Sequence, residues 1–229
     1  MNIAIIPARG GSKRIPRKNI KLFNGKPIIG HVIERALKSG CIDRIIVSTD
    51  DQEIAEIAKS YGAEVPFLRP PELSDDHATT AVVISHALNW LITQGQKPDY
   101  ACVIYATAPF IQSQALSDSF SLLKQQPNKK FCFGVTEFPS PIQRAFKITK
   151  AGDVVMFQPE HFNSRSQDLE KAYHDAGQFY WGTTDGFFDS KGMFSTDAIP
   201  FPLPCHQVQD IDTPDDWVRA EALFQVMTG

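Results

Sequence analysis

The sequence predicts a three-layer α/β/α fold around a mostly parallel sheet, with a small inserted lobe. Short, near-continuous apolar runs alternate with longer amphipathic ones through residue 137, the pattern of strands buried on both faces between helices. The alternation breaks at residue 138, where Pro, Gln and aromatic residues become frequent, and a strand-like pattern resumes near residue 178. The expected organisation is therefore a main domain of residues 1–137 and 173–229 with an inserted lobe of residues 138–172. With 229 residues, 42% hydrophobic and 21% charged, the chain can bury one real core and is too apolar for a disordered tail protein.

The elements follow in order. Residues 3–6 form a short strand that Pro7 ends, and a polar, glycine-containing loop continues to about Gly25. Pro27 opens an amphipathic helix through Leu37, its fixed φ suiting a first helical turn. Residues 45–47 are the next strand. Asp50-x-x-Glu53 begins a helix ending near Gly62 in the manner of a capping box. Residues 64–68 are strand-like, 79–93 helical, 100–105 a strand, 112–125 a helix and 131–135 a strand. Two short strands at 146–148 and 154–157 lie within the lobe, and a strand at 178–181 returns to the main domain. A helix at 214–226 closes the chain, with Thr213, Asp215 and Asp216 as capping residues.

Composition excludes several functions. Cys41, Cys102, Cys132 and Cys205 form no C-x-x-C pair, so neither zinc nor a disulfide framework is expected, and free thiols in a reducing cytoplasm are. The charges near the N-terminus follow a short apolar run, the reverse of a signal peptide, and no run of about 18 apolar residues predicts a membrane span. A net charge of −3 makes no case for nucleic acid, but the charge is uneven. Residues 9–21 hold six bases and no acid, while the last 40 residues hold two bases and six acids.

The basic loop lies at the carboxyl end of the first strand, where open α/β sheets bind ligands. Its sequence is Ala8-Arg9-Gly10-Gly11-Ser12-Lys13-Arg14-Ile15-Pro16-Arg17-Lys18-Asn19. Paired glycines let backbone N–H groups approach an anion, and the bases can hold phosphate oxygens. It is neither a Walker A loop nor G-x-G-x-x-G. Near the C-terminus, Asp210 and Asp212 lie two apart, a spacing that in extended chain puts both carboxylates on one face. Spacing alone leaves metal binding and helix capping equally open there.

The loop resembles the signature of the cytidylyltransferases that activate nine-carbon keto sugar acids. The resemblance continues in order through Ile45-Ile46-Val47-Ser48-Thr49-Asp50, Arg69-Pro70 with Glu72-Leu73 and Asp75, and Asp210-Ile211-Asp212-Thr213. It implies a Rossmann-like sheet of the nucleotidyltransferase type and a reaction of CTP with a sugar acid to give a CMP-sugar and pyrophosphate. It assigns Arg9, Lys13, Lys18 and Asp210 to catalysis. Ala8, Arg9, Gly10, Gly11, Ser12, Lys13, Asn19, Arg69, Ala78 and Thr80 would hold the nucleotide, with Asn19, Arg69, Ala78 and Thr80 at the ribose and base. Asp210 and Asp212 would hold Mg²⁺, which keeps several waters and needs few protein ligands. Asp50, His77, His86 and Cys102 are expected to be structural.

On the sugar side the chain departs from the sialic-acid pattern. Ala106-Thr107-Ala108-Pro109-Phe110-Ile111 stands where a basic residue is usual, and His174-Asp175-Ala176-Gly177 replaces an Arg-Pro-Asn-Gly-like segment. The segment from Tyr173 to Trp181, with Arg165 to Asp168 upstream, is similar to the pseudaminic-acid cytidylyltransferases. Tyr105, Thr107, Arg165, His174 and Gln178 become candidates for contact with the sugar acid. The resemblance also implies a homodimer formed through the lobe, where Phe138, Pro139, Pro141, Phe146 and Phe157 would be exposed. The alternatives are a sialic- or legionaminic-acid enzyme, and a nucleotide-binding regulator without turnover. The intact loop bases and acid pair disfavour the regulator.

Overall fold

The computed structural model describes residues 1–75, 78–189 and 192–228. His77 lies outside the described residues. Alternation along the first strand, β1 (Asn2–Pro7), sets the layers. Ala4 and Ile6 point into one core while Ile3 and Ile5 point into a second. After β1 come a hairpin of β2 (Leu22–Phe23) and β3 (Lys26–Pro27), then α1 (Ile28–Lys38), β4 (Arg44–Ser48), α2 (Gln52–Ser60), α3 (Thr80–Thr93), β5 (Tyr100–Ile104) and α4 (Ser113–Lys124). The chain continues through β6 (Phe131–Glu137), β7 (Phe146–Ile148), β8 (Val154–Met156), β9 (Tyr173–Thr183), α5 (Thr184–Phe187), β10 (Ala198–Pro202) and α6 (Pro214–Thr228).

The six-stranded sheet has the order β10-β6-β9-β5-β1-β4. Every neighbouring pair is parallel except the two that β9 makes, so β9 alone runs against the rest. Helices α1, α2 and α4 pack their apolar stripes into the first core, and α3 packs Ile84, Ala87, Leu88 and Leu91 into the second. This is the three-layer arrangement that the apolar pattern predicts. Trp181 is fully buried and its indole N–H donates to the Leu116 carbonyl at 3.0 Å, so α4 and β9 are joined by a hydrogen bond as well as by packing.

Several local expectations are corrected. The cap of α2 is Asp51, not Asp50: the Asp51 side chain accepts the Ile54 N–H at 3.0 Å. Pro27 is the residue before α1 rather than its first turn. Residues 64–68 make only isolated parallel bridges to the outer side of β4. The edge strand β10 was not anticipated, because two prolines within five residues argue against a strand. It pairs only with β6, and an edge position tolerates the missing donors. Strand β9 begins at Tyr173, five residues before its apolar run, because the ladder to Val135, Thr136 and Glu137 recruits the polar segment. Reciprocal capping between Thr213 and Asp216 at the start of α6 is as expected.

All four cysteines are free; Cys102 and Cys132 are buried, Cys41 is half-buried and Cys205 is exposed. No helix among the described residues is long and apolar enough to cross a membrane. Residues 138–172 add nothing to the central sheet and carry the β7–β8 hairpin. Phe146, Ile148, Phe157 and Phe162 there are each more than half exposed.

A third, smaller core joins distant parts of the chain. Ile15 from the loop after β1, Phe23 and Ile28 from the hairpin and α1, and Phe110 after β5 meet Ile211, Trp217 and Ala220 at the C-terminus. The Phe23 ring stands edge-on to Phe110 and Trp217. Lys21 lies 4.3 Å over the Trp217 ring, adding a cation–π contact at the rim.

Candidate active site

A cleft of about 610 Å³ opens at the carboxyl ends of β1 and β5. Arg9, Ser12, Lys13, Arg14, Lys18 and Asn19 line it from the loop after β1. Arg69, Asp75, Ala78 and Thr80 line it from the connection into α3, and Tyr105, Ala106 and Thr107 from the end of β5. Ala8 is buried beneath it, its N–H given to the Ser48 carbonyl at 2.9 Å.

The loop is shaped by hydrogen bonds to the neighbouring β4–α2 turn. Asp50 accepts the Gly10 N–H at 2.9 Å. A Cβ at Gly10 would lie 2.7 Å from the Asp51 Oδ2, so only glycine fits. Gly11 has open space around it among the described residues. Arg17 adopts a left-handed conformation, φ 55°, rare for a residue with a side chain. Its guanidinium holds Asp51 through two hydrogen bonds and also reaches Glu53. That grip and the Ile54 N–H hold the Asp51 carboxyl down at about 2 against the desolvation that opposes it. Asn19 closes the loop by donating to the Arg9 carbonyl at 2.9 Å, and Arg9 donates to the Asp75 carbonyl at 3.0 Å.

Arg69 is a fixed cation in the cleft wall. It is buried, and burial lowers its pKa. One terminal nitrogen donates to the Ser48 carbonyl at 2.8 Å and the other to the Leu73 carbonyl at 3.2 Å, while Nε has no hydrogen-bond partner among the described residues. Ala78 is held by its N–H to the Asp75 carboxylate at 2.8 Å.

Asp212 meets the basic loop beside the cleft, through Arg14 and Lys18 of its lining, whereas Asp210 and Asp212 do not themselves line it. Ile211 is buried in the third core, and its neighbours Asp210 and Asp212 stay at the surface. Asp212 pairs with Arg14 at 2.9 Å and with Lys18 at 3.4 Å, and Lys18 also donates to the Ile211 carbonyl at 2.7 Å. Lost hydration, and then the nearby Asp212 charge, raise the Asp210 carboxyl above its ordinary value. Two oxygen-bearing side chains that repel each other beside a basic cleft fit a hard divalent cation. No group of three or more His, Cys, Asp or Glu among the described residues could hold a metal by itself, so further ligands would have to come from substrate or water.

The sugar-side candidates separate. Tyr105 and Thr107 line the cleft. Gln178 is buried and its amide donates to the Gln207 carbonyl, so the structure gives it a scaffold partner. The His174 ring packs on Phe138, and its Nδ1 lies 2.9 Å from the Asp175 carbonyl. Arg165 is exposed in the lobe and paired with Asp168 at 2.7 Å. These three do not line the cleft. Arg14 and Asp75 do line it and were not singled out individually, since one was merely part of a basic run and the other part of a motif.

The family described as Cytidylyltransferase matches residues 3–195 of this sequence. The chain belongs to the cytidylyltransferase family. It is 48% identical over 225 residues to the pseudaminic acid cytidylyltransferase of Campylobacter jejuni, covering 98% of this chain and 97% of that one. It is 34% identical to the CMP-N,N'-diacetyllegionaminic acid synthase of Legionella pneumophila, covering 98% and 96%. A solved structure of CMP:2-keto-3-deoxy-manno-octonic acid synthetase complexed with CTP shares the fold, with a TM-score of 0.72 at 18% identity over 99% of both chains. The mostly parallel α/β architecture of this cytidylyltransferase is thus that of its structural relatives.

The Arg17–Asp51 pair yields a pH prediction. Asp51 sits near 2 in the folded chain against an ordinary 3.8, so its stabilisation is complete above about pH 4 and is lost as pH falls through about 2. Allowing for partial exposure, Asp51→Asn should cost about 1–2 kcal/mol at pH 7. The gap to the unaltered protein should narrow at pH 3, read from urea midpoints at the two pH values.

Proposed function

We propose that this chain is a pseudaminic acid cytidylyltransferase, converting CTP and pseudaminate to CMP-pseudaminate and pyrophosphate. The observation that carries this is the 48% identity, over nearly the full length of both chains, to the C. jejuni enzyme of that name. The geometry supports it. A cleft with bases on one wall and a carboxylate pair beside it suits a triphosphate and its counter-cation.

In this reading the anomeric hydroxyl of the sugar acid attacks the α-phosphorus and pyrophosphate leaves. Arg9, Lys13 and Lys18, with the backbone of residues 10–12, neutralise the triphosphate, and that charge compensation is the main rate effect required. Asn19, Arg69, Ala78 and Thr80 orient the nucleoside. Asp210 and Asp212 would hold Mg²⁺, which would polarise the α-phosphate and lower the pKa of the attacking hydroxyl. Asp210 is also our assignment among the catalytic residues, as one of the two carboxylates that would hold the cation. Lys18 and Arg14 would exchange Asp212 for phosphate oxygens when substrate enters. The free thiols of Cys102 and Cys132 suit a cytoplasmic location.

A pyrophosphate-release assay with CTP, Mg²⁺ and a panel of sugar acids tests the activity. Turnover should favour pseudaminic acid; a preference for sialic or legionaminic acid would replace the substrate assigned, and no turnover with any acid would favour a regulator. Asp212→Asn should lower kcat by two orders of magnitude or more while Tm barely moves, because Arg14 is an exposed partner and the half-buried Lys18 keeps its bond to the Ile211 carbonyl. A collapse in Tm would make Asp212 a structural residue instead.

We also propose that residues 138–172 form a dimer contact, which would cover Phe146, Ile148, Phe157 and Phe162. Arg165 and His174 would act on the sugar acid only in that assembly. Light scattering at micromolar concentration should give twice the chain mass; a monomer would refute the contact.

A further inference from the structure

Strand β9 carries an irregularity that the sheet does not need. Tyr180 pairs with Phe133 and Asp175 with Val135, so four residues of β9 lie opposite Gly134 alone. Gly177 within this bulge has φ 63°, and a Cβ on Gly134 would meet Leu203 at 2.9 Å. Bulges beside active sites re-aim side chains. Here the chain folds back so that Asp175 accepts the Tyr180 hydroxyl at 2.6 Å and the Gly177 N–H at 3.0 Å.

Asp175 and Tyr180 line a side cavity of about 270 Å³, together with Ile84, Val103, Tyr105 and Phe194. Thr80 and Tyr105 line both this cavity and the main cleft, so the two adjoin. The cavity is smaller than most whole-ligand pockets and suits one arm of a substrate. Its chemistry is narrow. A carboxylate accepts hydrogen bonds and donates none, and two of its roughly four lone-pair positions are already used. Burial and the Tyr105 and Asp175 neighbours push the Tyr180 phenol up, so the phenol keeps its proton and donates it to Asp175. The remaining walls are largely apolar. An N–H donor joined to a methyl group satisfies both features, while a second anion is repelled.

We infer that Asp175 is a specificity-determining residue that accepts the N–H of the acetamido group that pseudaminic acid carries where N-acetylneuraminic acid has a hydroxyl, and that the methyl of this group enters the side cavity beside Ile84, Val103 and Phe194. The inference rests on the function proposed above and adds which group selects the substrate. Tyr180 is a positioning residue, holding the Asp175 carboxylate toward the cavity.

Steady-state kinetics of the full-length enzyme with pseudaminic acid and with N-acetylneuraminic acid test it. Asp175→Asn should lower kcat/KM for pseudaminic acid about five- to tenfold, because the amide keeps one acceptor oxygen but loses the charge-assisted part of the bond. KM for CTP should stay within about twofold, and the preference over N-acetylneuraminic acid should shrink. Tyr180→Phe should shrink that preference in the same direction by a smaller factor. An unchanged preference in Asp175→Asn, or a parallel rise in KM for CTP, overturns the assignment and leaves the proposed activity standing. An unaltered enzyme that shows no preference for pseudaminic acid overturns both. If Asp175→Asn is unstable by thermal melting, Tyr180→Phe decides alone, and an unchanged preference there overturns the assignment.

Discussion

A buried isoleucine holds the two charged halves of this cleft together. Ile211 contributes about 2 kcal/mol of apolar burial to the small core that also contains Ile15 of the basic loop and Trp217 of α6. Because Asp210 and Asp212 flank it, burying Ile211 forces both carboxylates to the surface of the same segment, against the loop that Ile15 anchors. Lys18 completes the arrangement by donating to the Ile211 carbonyl itself. Residues almost 200 positions apart thereby form one site, and the ends of the chain are joined by packing rather than by charge alone.

The loop has a second constraint from the opposite side. Asp51 caps α2, accepts two bonds from Arg17 and leaves no room for a side chain at Gly10. One carboxylate thus sets a helix start, stabilises a left-handed backbone at Arg17 and fixes the approach of the loop to the cleft. This tight coupling explains why a run of six bases is not a loosely solvated surface. Arg17 is committed to structure, whereas Arg9, Lys13, Arg14 and Lys18 face the cleft.

The layers and the cleft-lining loop were legible because they depend on local pattern. Apolar runs identify strands, and glycines followed by bases at a strand end mark the loop that lines the cleft. What the sequence hid depends on partners distant in the chain. Asp50 and Asp51 are adjacent acids with equal claims to the cap, and only the positions of Gly10 and Arg17 separate them. Gln178 looks like a sugar ligand until the Gln207 carbonyl is seen beside it. The polar start of β9 gains its strand character from β6, and β10 survives its prolines only because it is an edge.

The reversed direction of β9 explains how one scaffold can serve different acids. In an all-parallel sheet, the carboxyl ends of the strands alone would face the cleft. Because β9 is antiparallel, it presents its first half there, and the segment from Tyr173 to Gly177 is polar and free to bulge without exposing the apolar run that follows. Phe179 and Trp181 keep the first core closed on one face while Tyr180 reaches Asp175 on the other. In the function proposed above, changes in the bulge can alter the sugar side while Ile15 of the basic loop and Ile211 between the acid pair stay anchored in the third core, which has no β9 residue. On that proposal, the nucleotide grip and the choice of acid are physically separable parts of the same sheet.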